Sequence, residues 1–209
     1  QSSITALQQI VPRHPRGIKC PVIGITGSNG KTIIKEWLYQ LLSPDFNIAK
    51  NPASYNSQLG VPLSVWQLQS HHTLGIFEAG ISTVNEMKNL QNVIRPTFGI
   101  FTNIGPAHDE GFANTEEKID EKLLLFSESD FVIYCKDHEL IDRAVLRSGI
   151  RGFSWGRGEN ADVVISKQRN GYAVTHDGVA FPLQLPFMDH ASVENSLHAL
   201  MVLLFFRTS

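Results

Sequence analysis

Between the apolar run Val22-Ile23-Gly24-Ile25-Thr26 and a stretch in which Ile33, Ile34, Trp37, Leu38, Leu41 and Leu42 recur at helical intervals lies Gly27-Ser28-Asn29-Gly30-Lys31-Thr32. The run reads as a buried strand and the periodic stretch as a helix that stops before Pro44. A glycine turn joining the two can aim backbone N–H groups at an anion, and the helix N-terminus adds its positive end, which makes Gly27, Ser28, Asn29 and Gly30 candidate ATP contacts. Lys31 would reach the β- and γ-phosphates, and the Thr32 hydroxyl would hold Mg²⁺. The strict phosphate-loop spacing would place a glycine where this chain has Ile25, so the match is to the Gly-Lys-Thr half. A dinucleotide fold is disfavoured: Gly24, Gly27 and Gly30 are spaced G-x-x-G-x-x-G, and the second strand ends in Ala49-Lys50 without a ribose-binding acid.

The pattern continues as strands near Phe46 to Ala49, Thr73 to Glu78, Phe98 to Thr102 and Phe131 to Cys135. Helices are expected around Val84 to Val93, Thr115 to Ser127 and Glu139 to Leu146. Such alternation predicts an α/β fold, a mostly parallel sheet with helices on both faces. Past Phe153 the reading changes to Val163 to Gln168, Tyr172 to His176 and Val179 to Leu185, punctuated by Asn170-Gly171 and Asp177-Gly178. These pairs predict hairpins, hence a small antiparallel β unit over residues 160–186. A helix from Ser192 to Phe206 follows. Residues 1–20 read as a helix, Ser2 to Ile10, and a basic connector.

Eighteen Lys and Arg against 20 Asp and Glu give a net charge of -2, which argues against a nucleic-acid-binding surface. An anion must therefore be caught locally. No apolar run reaches the ~20 residues of a membrane span. Cys20 and Cys135, far apart, fit neither a disulfide framework nor a zinc cluster, and a reducing cytoplasm is the expected location. The 209 residues suit one α/β domain, expected to be part of something longer because the chain opens on Gln1.

Together with Thr26 to Thr32, a series of further segments resembles the Mur ligase family in that family's order. They are Asn56-Ser57-Gln58-Leu59-Gly60-Val61-Pro62, Phe77-Glu78-Ala79-Gly80, Thr102-Asn103-Ile104-Gly105-Pro106-Ala107-His108, Glu121-Lys122 and Asn195-Ser196-Leu197-His198-Ala199. The resemblance implies the central ATP-binding domain of a ligase that phosphorylates a carboxylate with ATP and lets an amine attack the acyl phosphate. Gly60-Val61-Pro62 and Pro106 to Phe112 favour the members that add D-Ala-D-Ala to UDP-MurNAc-tripeptide in peptidoglycan synthesis. Flanking N-terminal and C-terminal domains of the same polypeptide are implied partners, and the 209 residues alone are expected to be inactive. The alternatives are a folylpolyglutamate synthase, or a nucleotide-binding domain without turnover.

The resemblance also implies roles. Lys31, His108 and Lys122 would be catalytic, Thr32, Glu78, His108 and Lys122 would hold Mg²⁺, and Lys122 matches a lysine that several members carbamylate. Lys118 is a competing register for Lys122. Asn56, in a polar loop with Asn51, Ser54 and Gln58, would meet the substrate, and Asn195 would lie near the adenine. Departures sit at Ala191, where the family has His, and at Cys135-Lys136-Asp137, where it has Asn-x-Asp.

Overall fold

The computed structural model describes residues 20–105 and 109–208. The expected helix and connector before Cys20, and His108, lie outside the described residues. Nine strands form one sheet: β1 (Val22–Thr26), β2 (Ile48–Lys50), β3 (Leu74–Glu78), β4 (Phe98–Phe101), β5 (Phe131–Cys135), β6 (Gly152–Gly156), β7 (Val163–Gln168), β8 (Gly171–His176) and β9 (Val179–Leu183). Their order is β2-β3-β1-β4-β5-β6-β7-β8-β9. Pairing is parallel from β2 through β7 and antiparallel for β7 with β8 and β8 with β9. The hairpins form where Asn-Gly and Asp-Gly predict them, with Asp177 and Gly178 both at positive φ.

β6 is a strand that the sequence pattern does not predict. It shows where the antiparallel strands attach: Trp155 pairs with Val163 and Gly156 with Val164 in parallel, so residues 160–186 extend the main sheet.

The helices are α1 (Lys31–Leu42), α2 (Gly60–Val65), α3 (Met87–Ile94), α4 (Thr115–Leu123), α5 (Glu139–Ser148) and α6 (His190–Thr208). α1 and α6 bury Ile34, Leu38, Leu197 and Val202 against Ile23, Ile25, Ile76 and Ile100 on one face of the sheet. On the other face, α2 to α5 bury Val61, Leu90, Ile119 and Ile141 with Val22, Phe77, Phe101 and Val132. Strands covered on both sides explain the near-continuous apolar runs. Gly99 has a specific packing reason, since a Cβ there would run into the ring of Phe126.

His198 of α6 pins this architecture from inside. It is 0% exposed; its Nε2–H donates to the Thr102 carbonyl at 3.0 Å, and its Nδ1 accepts from Trp155 Nε1 at 3.3 Å. A carbonyl can only accept and an indole N–H can only donate, so the ring is the neutral Nε2–H tautomer. Burial pushes its pKa down to about 4. The unfolded chain therefore takes up this proton first: the stability that His198 provides is complete above pH ~6.5 and is lost as pH falls toward about 4. Urea unfolding at pH 7 and pH 5 should show a larger loss for the wild type than for His198→Asn; equal losses would refute this.

Candidate functional site

The loop between β1 and α1 sits at the carboxyl ends of the parallel strands, where open α/β sheets bind ligands. Gly27 and Gly30 have φ of +136° and +83°, conformations open to glycine and strained for other residues. Substitution is blocked at both by contact as well: a Cβ would strike Thr102 Oγ1 at Gly27 and Asn195 Oδ1 at Gly30. Asn195 thus reaches the first turn of α1 from α6.

The segment after β4 braces the loop. Ser28 N donates to Asn103 O at 2.8 Å, Asn29 N to Asn103 Oδ1 at 3.0 Å, and Thr102 Oγ1 to Asn29 O at 2.6 Å. Gly105 N donates to Ser28 Oγ at 2.9 Å. In the sequence Thr102 to Gly105 was only a link in a series; the structure gives it the task of holding the loop's shape.

Positive charge gathers on this loop from two helices. Lys31 Nζ donates to the carbonyls of Gly27 (2.8 Å) and Ser28 (3.1 Å). Lys118 Nζ donates to Gly105 O at 2.6 Å and Lys122 Nζ to Gly27 O at 3.3 Å. Lys118 and Lys122 are four residues apart on α4, hence on one helical face; Lys122 reaches the loop itself, and Lys118 reaches Gly105 in the segment that braces it. Burial pushes the Lys122 ammonium down to about 7, and the charges of Lys31 and Lys118 act in the same direction. Lys31 is also lowered by burial, with Glu78 opposing and Lys118 adding to the shift.

Glu78 ends β3, is 0% exposed, and accepts from Thr32 Oγ1 at both carboxylate oxygens, 3.1 and 2.8 Å away. A hydroxyl and a carboxylate are hard oxygen donors, and Mg²⁺ commonly takes one or two protein oxygens and fills its shell with water and phosphate. The donor set therefore fits Mg²⁺. Among the described residues no cluster of three or more His, Cys, Asp or Glu is placed to hold a metal. Asn56 lies beside the same strand end: its carbonyl accepts from Gly80 N at 2.8 Å, and its side chain covers Gly80. Glu121, quoted above with Lys122, faces away from the loop and accepts from Met87 N at 3.0 Å, capping the start of α3.

Two buried residues flank Glu78: Asn51, which the sequence places only in the polar loop around Asn56, and Lys35, which no motif includes. Asn51 Oδ1 accepts from Glu78 N at 2.7 Å, and Lys35 Nζ lies 3.6 Å from Glu78 Oε1. Lys35 falls at i+4 from Lys31, which puts both on the same side of α1; that spacing was the available signal. At the departures, Glu194 pairs with His138 at 2.8 Å and His190 at 3.4 Å, while Asp137 accepts from Arg157 N.

Residues 25–203 match the family described as the Mur ligase middle domain. A curated relative, the UDP-N-acetylmuramoyl-tripeptide–D-alanyl-D-alanine ligase of Bacillus subtilis (strain 168), is 26% identical over 204 residues, covering 95% of this chain and 44% of the relative. Among solved structures, MurF from Acinetobacter baumannii superposes with a TM-score of 0.85 at 22% identity, covering 97% of this chain and 47% of that one. MurF ligase from Thermotoga maritima in complex with ADP gives a TM-score of 0.83 at 23% identity, covering 99% and 50%. The chain spans about half the length of these proteins.

Proposed function

The chain belongs to the Mur ligase family, as a middle domain, and from that premise we propose that it is the ATP-binding part of a ligase joining D-Ala-D-Ala to UDP-MurNAc-tripeptide in the cytoplasm. The reading rests above all on one contact, Thr32 to Glu78, set beside a glycine loop that buried lysines approach. The B. subtilis relative bears the name of that reaction. Cys20 and Cys135 are free thiols, in keeping with a reducing compartment, and no helix among the described residues is long and apolar enough to cross a membrane.

In the proposed reaction a carboxylate oxygen of the tripeptide attacks the γ-phosphorus of ATP and ADP departs. The amine of D-Ala-D-Ala then attacks the acyl carbon, phosphate leaves, and the amide remains. Crowding a carboxylate against a triphosphate concentrates negative charge, so the enzyme must supply fixed donors and cations. The N–H groups at the start of α1 cradle the phosphates, and the Lys31 ammonium, beside the Gly27 and Ser28 carbonyls, supplies the cation for the β/γ oxygens. Thr32 and Glu78 would hold Mg²⁺, which neutralises phosphate charge when bound. Asn56 orients the muramoyl substrate at the end of β3, Asn195 the adenine side, and His108 is assigned to a second Mg²⁺.

Lys122 fits the role of a carbamylated lysine, because carbon dioxide adds to a neutral amine and burial moves this one to a pKa of about 7. The resulting carbamate would be an anion of a kind that can bind Mg²⁺.

The test is phosphate release by the full-length protein. Release is expected with UDP-MurNAc-tripeptide and D-Ala-D-Ala together and should vanish when either is omitted. Release with a folate and glutamate would move the protein to the folylpolyglutamate synthases. Nucleotide binding without release in either assay would make it a non-turnover domain. The 209 residues alone should release no phosphate.

A further inference from the structure

Lys35 is 0% exposed, so its ammonium must find its partners inside the protein. They belong to three different segments. Nζ donates to the Ala53 carbonyl and lies 3.4 Å from Glu36 Oε1 and 3.6 Å from Glu78 Oε1. Ala53 stands at φ +45°, in the loop that runs from Asn51 to Asn56. Asn51 ties this loop to the Glu78 backbone, accepting from Glu78 N and donating to Glu78 O at 3.4 Å and to Tyr55 O at 2.8 Å. The loop is thus fastened to the end of β3 twice, once through neutral amide bonds and once through a charge that Glu78 shares.

We propose that Lys35 is a positioning residue that couples the charge state around Glu78 to the 51–56 loop, and through it to Asn56. The proposal rests on the reading of Glu78 as an ion ligand. A divalent cation and the Lys35 ammonium compete for one carboxylate, and two cations held close together repel, the more so because Lys35 is buried. Lys35 has no water to retreat into. When the carboxylate is taken, its donors concentrate on Ala53 O and Glu36, and the loop is held more firmly. When the ion leaves, Lys35 neutralises the buried Glu78 and its hold on the loop slackens.

Two variants of the full-length enzyme test this through opposite signs. Lys35→Met removes the competitor, so the Mg²⁺ concentration that half-saturates nucleotide binding should fall at least about threefold. In the wild type, Mg²⁺ with nucleotide should slow hydrogen exchange at the amides of residues 53–56, and in Lys35→Met that slowing should disappear. Glu36→Gln leaves Glu78 as the remaining carboxylate partner named above, so the Mg²⁺ requirement should rise at least about twofold. A purely structural lysine would give the opposite sign in Lys35→Met, because a damaged site binds the ion less well. A raised Mg²⁺ requirement in Lys35→Met, or exchange protection as in the wild type, overturns the proposal. Should Lys35→Met not fold, an unchanged requirement in Glu36→Gln overturns it. Wild-type nucleotide binding indifferent to Mg²⁺ would refute the ion site itself, and the proposal with it.

Discussion

Lys31→Ala in the full-length enzyme should lower phosphate release at least about a hundredfold, the scale on which loss of one well-placed charge-stabilising group acts. The melting temperature should hardly move. The Lys31 ammonium bonds to the carbonyls of Gly27 and Ser28, and the loop itself is held by Asn103, Thr102 and Gly105. The loop keeps its shape and loses its cation. Steady-state phosphate release and a thermal melt on one preparation separate the two effects. Near-wild-type turnover would show that the loop is not where ATP reacts.

Glu78→Ala should damage both activity and stability. Activity falls by a similar factor because Thr32 is left as a lone protein oxygen for the ion. Stability falls by about 3 kcal/mol because the Lys35 ammonium, buried beside it, loses a counter-charge, the penalty typical of breaking a buried pair from one side. Thr32 Oγ1 also loses its acceptor. Glu78→Gln keeps an acceptor for Thr32 and separates the lost charge from the lost side chain. Urea unfolding measures the difference, and a cost below about 1 kcal/mol for Glu78→Ala would mean that Ala53 O and Glu36 already satisfy Lys35.

The parts of this molecule that could be read from the residues are those where local chemistry and global fold agree. Gly27 to Thr32 is legible because two positive-φ glycines, a cation and a hydroxyl follow one another along the chain as one contiguous motif. β3, β5, β7 and the Asp177-Gly178 hairpin are legible because burial on both faces, or a turn type, leaves a local mark. β6 was overlooked because two of its five residues are glycine, Gly152 and Gly156, and its apolar content falls below that of its neighbours. α2 escaped because six residues barely exceed one turn and begin Gly60-Val61-Pro62. In α1, Ile33 and Leu41 fit the helical period yet are about half exposed, so periodicity alone overstated the buried face.

The site divides in the same way. Lys31 and Thr32 were visible as a contiguous motif, and Glu78 and Lys122 through an ordered series of segments spread along the chain. Glu121 stood in that series too, but only its bond to Met87 N, 34 residues away, shows that it caps a helix. Lys35 carried no motif and Asn51 only a place in the polar loop around Asn56, and their bearing on Glu78 appears only when β3 brings it between them.

What the sequence by itself determined is the chemistry on offer: a mostly parallel α/β sheet, a Gly-Lys-Thr loop at one strand end, and a set of lysines and oxygens of known order. What only the tertiary structure decided is which of them share a space. Parallel pairing sets β3 and β4 on either side of β1. That adjacency carries Glu78 to Thr32, 46 residues away, and Asn103 to Asn29, 74 residues away. Strand order is a global property of the packed sheet, settled by long-range burial, and no local stretch of sequence encodes it.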